Sequence, residues 1–210
     1  MWLANHFYFI AHVDSTGKLR LNPRVAGLGL GAALLAELMV QRRVAVQNGD
    51  IVVTNPHPTE DLLQHQVLDR ILSEPKRHPI RDWLSYLGTS AIDDVAQRLT
   101  RAGALEVYEA KKLFGGVERR YTPVSMNDAA WPAVRLARAL AMGGELDLAD
   151  QALAGIIKAT ALDRHVLKDD AGGRASRYLA SIIAGLPEPL RLLVVETEIT
   201  VGRAVLSQRT

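Results

Sequence analysis

Residues 22–43 read NPRVAGLGLGAALLAELMVQRR, and the fold follows from how this stretch is read. Asn22 suits the N-cap of a helix, because its side-chain oxygen accepts a bond from a free amide of the first turn. Pro23 at the first helical position gives up only an amide that had no partner. The residues from Val25 to Val40 are then apolar or small except for Glu37, and beyond Gln41 the cations Arg42 and Arg43 complement the dipole at the C-terminal end. A helix apolar on nearly every side is a buried one. At about 18 residues it is roughly 27 Å long. Its polar ends, its glycines and its short uncharged middle argue against a membrane span. The expected fold is mainly α, a helical domain around a long buried central helix with peripheral β-hairpins.

Working outward, residues 6–13 (HFYFIAHV) are aromatic and β-branched and predict a strand. Asp14-Ser15-Thr16-Gly17 predicts a turn, with residues 18–21 as the returning strand. After the central helix, Asn48-Gly49-Asp50 between residues 44–46 and 51–54 is a hairpin signal. Thr59 is placed to cap a helix running to Ser73, and residues 80–87 form a short helix carrying Trp83. Ser90 and Asp93 suggest a variant capping box for a helix over 90–102, ended by Gly103. Residues 105–108 and 117–124 pair as a second hairpin. Helices are expected over 130–142, 146–160, 174–183 and 189–206, and more weakly over 164–167. No repeat or linker breaks the chain, so residues 1–210 are expected to form a single domain.

Composition narrows the function classes. The chain has 210 residues and a formal net charge of +2, with a pI near 9.0. That is a mild lean towards anionic partners, not the footprint of a dedicated nucleic-acid binder. With no cysteine, disulfides and Cys-type zinc sites are excluded. The N-terminal residues lack a basic stretch followed by a small-residue cleavage site, so no signal peptide is expected.

Chemistry-bearing patterns are few. Gly27, Gly29 and Gly31 mimic a dinucleotide loop, but that fingerprint requires a strand before it and a helix opening after it. Here the glycines lie inside the helical run, so close helix packing is the reading. The histidines His6, His12, His57, His65, His78 and His165 show no ligand spacing. Asp93 and Asp94 are adjacent on a helix and point about 100° apart, which suits capping rather than paired-carboxylate chemistry. Trp83 and Trp131 are expected in the core. There is no nucleophile elbow and no Walker loop, so neither an enzymatic activity nor a cofactor is expected.

The tip of the second hairpin is the sharpest candidate. Lys111 and Lys112 suit anionic phosphates, at about 1 kcal/mol each near a charged surface. Leu113 and Phe114 suit the acyl boundary, at roughly 1.5–3 kcal/mol each if fully buried. Arg119 and Arg120 on the return strand extend the patch. The alternative is that Leu113 and Phe114 fold onto the core or mediate homo-oligomerisation through residues 105–124. A third reading is a winged-helix module over residues 80–124, with Gln97, Arg98 and Arg101 as the credible base readers. Asp93 and Asp94 in the first turn of that recognition helix would repel phosphates, so nucleic acid is not expected as a partner.

Four landmarks in order, FIAHVDSTGKLRL, GLGLGAALLAELMVQRRVAV, PTEDLLQHQVLDRIL and VAQRLTRAGALEV leading into KKLFGG, resemble the Golgi phosphoprotein 3 family. Members occur in the eukaryotic Golgi and, as shorter relatives, in bacteria. The resemblance implies a non-enzymatic protein of the cytoplasm that associates peripherally with membranes. It implies binding of phosphatidylinositol 4-phosphate in an anionic phospholipid surface. The family's headgroup pocket uses one Trp and three Arg, and those positions fall here at Asn22, Gly31, Thr89 and Ile92. Arg20 and Arg24 flank Asn22 and are the candidates for substitute charge.

Overall fold

The structure, a computed structural model, describes residues 2–111 and 117–207. In chain order the elements are α1 (Leu3–Ala11), α2 (Pro23–Val40), β1 (Val44–Gln47), β2 (Asp50–Val53), α3 (Leu62–Ser73), α4 (Ile80–Leu87) and α5 (Ala91–Arg101). Then come β3 (Leu105–Lys111), β4 (Val117–Pro123), α6 (Met126–Met142), α7 (Leu148–Ala159), α8 (Asp163–Val166), α9 (Arg174–Gly185) and α10 (Glu188–Leu206). The fold is mainly α, with two antiparallel hairpins, β1–β2 and β3–β4, at its periphery.

Helix α2 is the axis. Asn22 accepts from the Arg24 amide and Pro23 opens the helix, and every residue from Val25 to Met39 is buried. It is apolar and long enough to cross a membrane by composition, yet 83% of it is covered by the rest of the chain. Helices α1, α4, α5, α7 and α10 pack around it. Its glycines let them approach closely. A Cβ on Gly27 would sit 2.2 Å from the Gly88 carbonyl oxygen at the end of α4, and one on Gly29 would sit 2.2 Å from Phe7 Cζ of α1. The first neighbour is backbone and has little freedom to yield. Gly27→Ala is therefore expected to destabilise the fold by about 1–3 kcal/mol through overpacking, read as a lowered thermal midpoint.

Several local expectations are corrected. Residues 6–13 are not a strand: Leu3–Ala11 is helical and almost wholly buried. Only an isolated antiparallel bridge, His12 to Leu19, remains of the expected first pair of strands. A short run that is apolar on every side does not distinguish strand from helix by periodicity. The cap of α3 is Asp61, which accepts from the Gln64 amide, while the Thr59 hydroxyl donates to the Asp61 carbonyl instead. Ser90 stands at the N-cap of α5 but makes no side-chain cap bond, and its hydroxyl donates to Asp94 Oδ2. Helix α6 begins earlier than expected, capped by Ser125. Trp131 is not in the core, since it is 59% exposed on α6, whereas Trp83 is 4% exposed.

The core contains one polar knot. Glu37, 4% exposed in the last turn of α2, accepts from the Ala4 amide (2.7 Å) and from Gln64 Nε2 (2.9 Å). Arg98 of α5 donates to both Glu37 carboxylate oxygens (3.1 and 3.2 Å), to Asn5 Oδ1 (2.8 Å) and to Asp61 Oδ1 (3.2 Å). Four helices are pinned by these bonds. Arg98 is thereby removed from the set of base readers, although the helix–helix–hairpin order of a winged helix is present in α4, α5 and β3–β4.

Candidate functional site

Three arginines from distant parts of the chain meet at one groove. Arg24 is in the first turn of α2, Arg81 in the first turn of α4 and Arg203 in the last turn of α10. The groove has a volume of about 890 Å³, and its other polar lining comes from Asp82, Ser85, Thr89, Thr200 and Ser207. Leu28 and Ile92 are among its apolar residues. Arg24 Nη1 lies 3.3 Å from Ser207 Oγ and ties the start of α2 to the end of α10. Arg81 Nε lies 3.7 Å from Asp82 Oδ1. Three guanidinium groups thus face a single carboxylate. Two of them occupy first turns, where the helix dipole disfavours a cation and favours an anion.

The rim of the groove is apolar on one side. Successive residues of a helix are rotated by about 100°. On α10 this puts Ser207 and Thr200 about 40° and 60° to one side of Arg203, towards the groove, and Ile199 and Leu206 about 40° and 60° to the other. Val195, Ile199 and Leu206 are 44%, 42% and 65% exposed. Arg203 therefore stands between the groove and an exposed apolar stripe.

Ile92 also lines a second depression of about 430 Å³ at the base of the β3–β4 hairpin, with Lys18, Asp93, Arg120, Tyr8, His12 and Tyr121 among its residues. The turn at 14–17 closes onto β4 there. Gly17 has φ +63°, and a Cβ on it would lie 2.0 Å from the Tyr121 carbonyl oxygen. His12 is buried and donates its Nδ1–H to the Tyr8 carbonyl. Burial pushes its pKa down to about 4, opposed by that bond and assisted by Arg20. On the opposite flank of α1, His6 lines a small pocket with Arg135, Asp147 and Asp150. Arg135 and Asp150 form a two-pronged pair there. Among the described residues no cluster of His, Asp and Glu is arranged to hold a metal ion.

The sequence candidates separate in space. Arg24 lines the groove and Arg120 the second depression. Arg20 has a different task, donating to Asp14 Oδ1 (2.8 Å) and to the His12 carbonyl (2.9 Å), and so it fastens the turn. In the backbone register of the ladder Lys111 stands opposite Val117 and Arg119 opposite Glu109. Lys112, Leu113 and Phe114 lie outside the described residues.

Arg81 and Arg203 were not nominated by sequence reasoning. Arg81 carried a usable signal, a cation in a first helical turn against the dipole. Arg203 carried none.

The positions assigned by family resemblance converge on the same place. Thr89 and Ile92 line the groove and Asn22 directly precedes two lining residues, Pro23 and Arg24. Gly31 packs against Leu87 and Gly88. No curated protein matches the chain. The family model for Golgi phosphoprotein 3 (GPP34) matches residues 3–197, and the chain belongs to that family.

Proposed function

We propose that the chain is a non-enzymatic peripheral membrane protein of the cytoplasm. Its arginine groove takes the phosphate of a phospholipid headgroup in an anionic surface. The observation that carries this is the convergence of Arg24, Arg81 and Arg203 on one groove, at the place where the family's pocket positions fall. The family's ligand, phosphatidylinositol 4-phosphate, is the reference headgroup. The family's Trp and Arg are absent from Asn22, Gly31, Thr89 and Ile92, and the three arginines restore the charge from other positions. The exposed stripe of α10 and the tip of the β3–β4 hairpin, with Leu113 and Phe114, supply the apolar contact. Lys18, Lys111, Lys112, Arg119 and Arg120 add to the basic face.

Co-sedimentation with vesicles tests the reading. At about 1 kcal/mol per cation near a charged surface, the triple variant Arg24→Ala/Arg81→Ala/Arg203→Ala is expected to bind phosphatidylglycerol vesicles about a hundredfold more weakly. Binding of the wild-type chain is expected to weaken with added salt. A Leu113→Asp/Phe114→Asp variant reports separately on the hairpin. Pelleting of the triple variant equal to that of wild type would overturn the groove as the headgroup site.

A further inference from the structure

The arginine groove and the second depression are neighbours with a wall in common. Ile92, half-buried at the start of α5, lines both. Two stretches of chain run from one cavity to the other. On the first, Thr89 lines the groove and Asp93 the depression, with Ile92 between them. On the second, Lys18 and Leu19 line the depression, and Pro23 and Arg24 line the groove. Arg20 fastens this second stretch to the end of α1. Its amide donates to the Ala11 carbonyl (2.8 Å), and its guanidinium pairs with Asp14 (2.8 Å). The fold therefore holds the two cavities side by side, with the Ile92 side chain on the ridge between them.

Both cavities are basic. The groove sets Arg24, Arg81 and Arg203 against Asp82, which already lies beside Arg81. The depression sets Lys18 and Arg120, both exposed, against Asp93. His12, held neutral by burial, adds no charge there at neutral pH. Five cations thus face two carboxylates, an excess that one phosphodiester does not neutralise. The volumes, about 890 and 430 Å³, are those of sites for whole small molecules rather than for a single phosphate. The ridge is different in kind. Ile92 offers no side-chain hydrogen bond, so a link that crosses it is best made of carbon.

We propose that the two cavities together hold the two phosphates of a diphosphatidylglycerol headgroup. One phosphate lies among the arginines of the groove and the other beside Lys18 and Arg120, with the three-carbon glycerol bridge over Ile92. This rests on the headgroup reading above and names the headgroup. Once the first phosphate is seated, the bridge presents the second to its site at high effective concentration. Two separate phosphatidylglycerol molecules have to be captured one by one. A phosphorylated inositol also carries two phosphates, but its ring would set hydroxyls against Ile92.

Phosphatidylcholine vesicles are made with diphosphatidylglycerol, or with twice the molar amount of phosphatidylglycerol bearing the same acyl chains. The two sets present equal numbers of phosphates and differ in whether these are tied in pairs. The full chain is expected to bind the first set on the order of fivefold more tightly, the gain from one further cation–phosphate contact near a charged surface. Lys18→Gln, a change at an exposed side chain, and Arg120→Gln should each bring that ratio towards one. Equal binding of the wild-type chain to the two sets would overturn the bridged headgroup and leave the anionic-surface reading standing. Failure to bind either set would overturn that reading as well. A preference that survives both substitutions would place the second phosphate outside the depression and defeat the assignment. Binding of soluble glycerol 1,3-bisphosphate without any vesicle preference would give the cavities to a soluble bisphosphate and defeat the lipid source.

Discussion

Glu37→Ala is expected to lower the unfolding free energy by about 3–5 kcal/mol, the usual cost of breaking a buried pair and leaving its partner charged. The carboxylate takes four hydrogen bonds in the core, from Ala4, Gln64 and twice from Arg98. Its removal takes two of the four bonds of the guanidinium, which is 7% exposed and keeps Asn5 and the part-buried Asp61 carboxylate as acceptors. It also uncovers the Ala4 amide in the first turn of α1, where no intrahelical acceptor exists. The double variant Glu37→Met/Arg98→Met removes both charges and fills similar volume, so it should recover a large part of the loss. Urea denaturation of the two single variants and the double variant gives the coupling. Additive losses, with no recovery in the double variant, would show that the pair is not a unit. The same experiment bears on the site, because this network fixes how α5 lies against α2. Ile92 and Asp93, at the start of α5, form part of the walls of the groove and of the second depression.

That network explains why α2 was legible in the sequence and α1 was not. Asn22, Pro23 and the unbroken apolar run of α2 carry their own start signal and their own burial pattern. The Asn48-Gly49 hairpin likewise declares itself through turn chemistry, with Asn48 and Gly49 both at positive φ. Helix α1 has no such local signal. Its N-cap, Trp2, makes no side-chain cap bond. The carboxylate that satisfies its first turn comes from Glu37, 33 residues away, so tertiary burial overrides the strand preference of Phe7, Tyr8, Phe9 and Ile10. The groove was hidden for a related reason. Its arginines come from the starts of two helices and the end of a third, and nothing in their spacing foretells that α2, α4 and α10 meet there. What the sequence did carry was the family order of elements.

The stability of the fold is expected to fall as the pH drops from about 6.5 towards 4, and His12 is one of two buried histidines responsible. Burial holds this imidazole at a pKa of about 4, against 6.5 for the free group. Between those values the unfolded chain binds a proton that the folded chain does not, so the unfolding free energy decreases as the pH falls. Above pH 6.5 the contribution is fully present, and below the folded pKa no more of it can be lost. At 1.36 kcal/mol for each pKa unit, the loss from His12 is about 3 kcal/mol. The geometry accounts for the direction. The ring stacks on Tyr8 at 3.9 Å between centroids, and Arg20, whose Nε donates to the His12 carbonyl, adds positive charge nearby. The Nδ1–H···O=C bond to Tyr8 holds the neutral tautomer with Nδ1 protonated. His6, also held at about 4 chiefly by burial and next by Arg135, acts in the same sense. Urea unfolding of wild type and His12→Gln across this range isolates the His12 share from carboxylates that titrate at the acid end. The variant should start less stable at neutral pH and decline with a shallower slope. Parallel slopes for the two proteins would mean that protonation of His12 does not oppose folding. The second depression would then be lined by an imidazole able to carry charge beside Lys18 and Arg120.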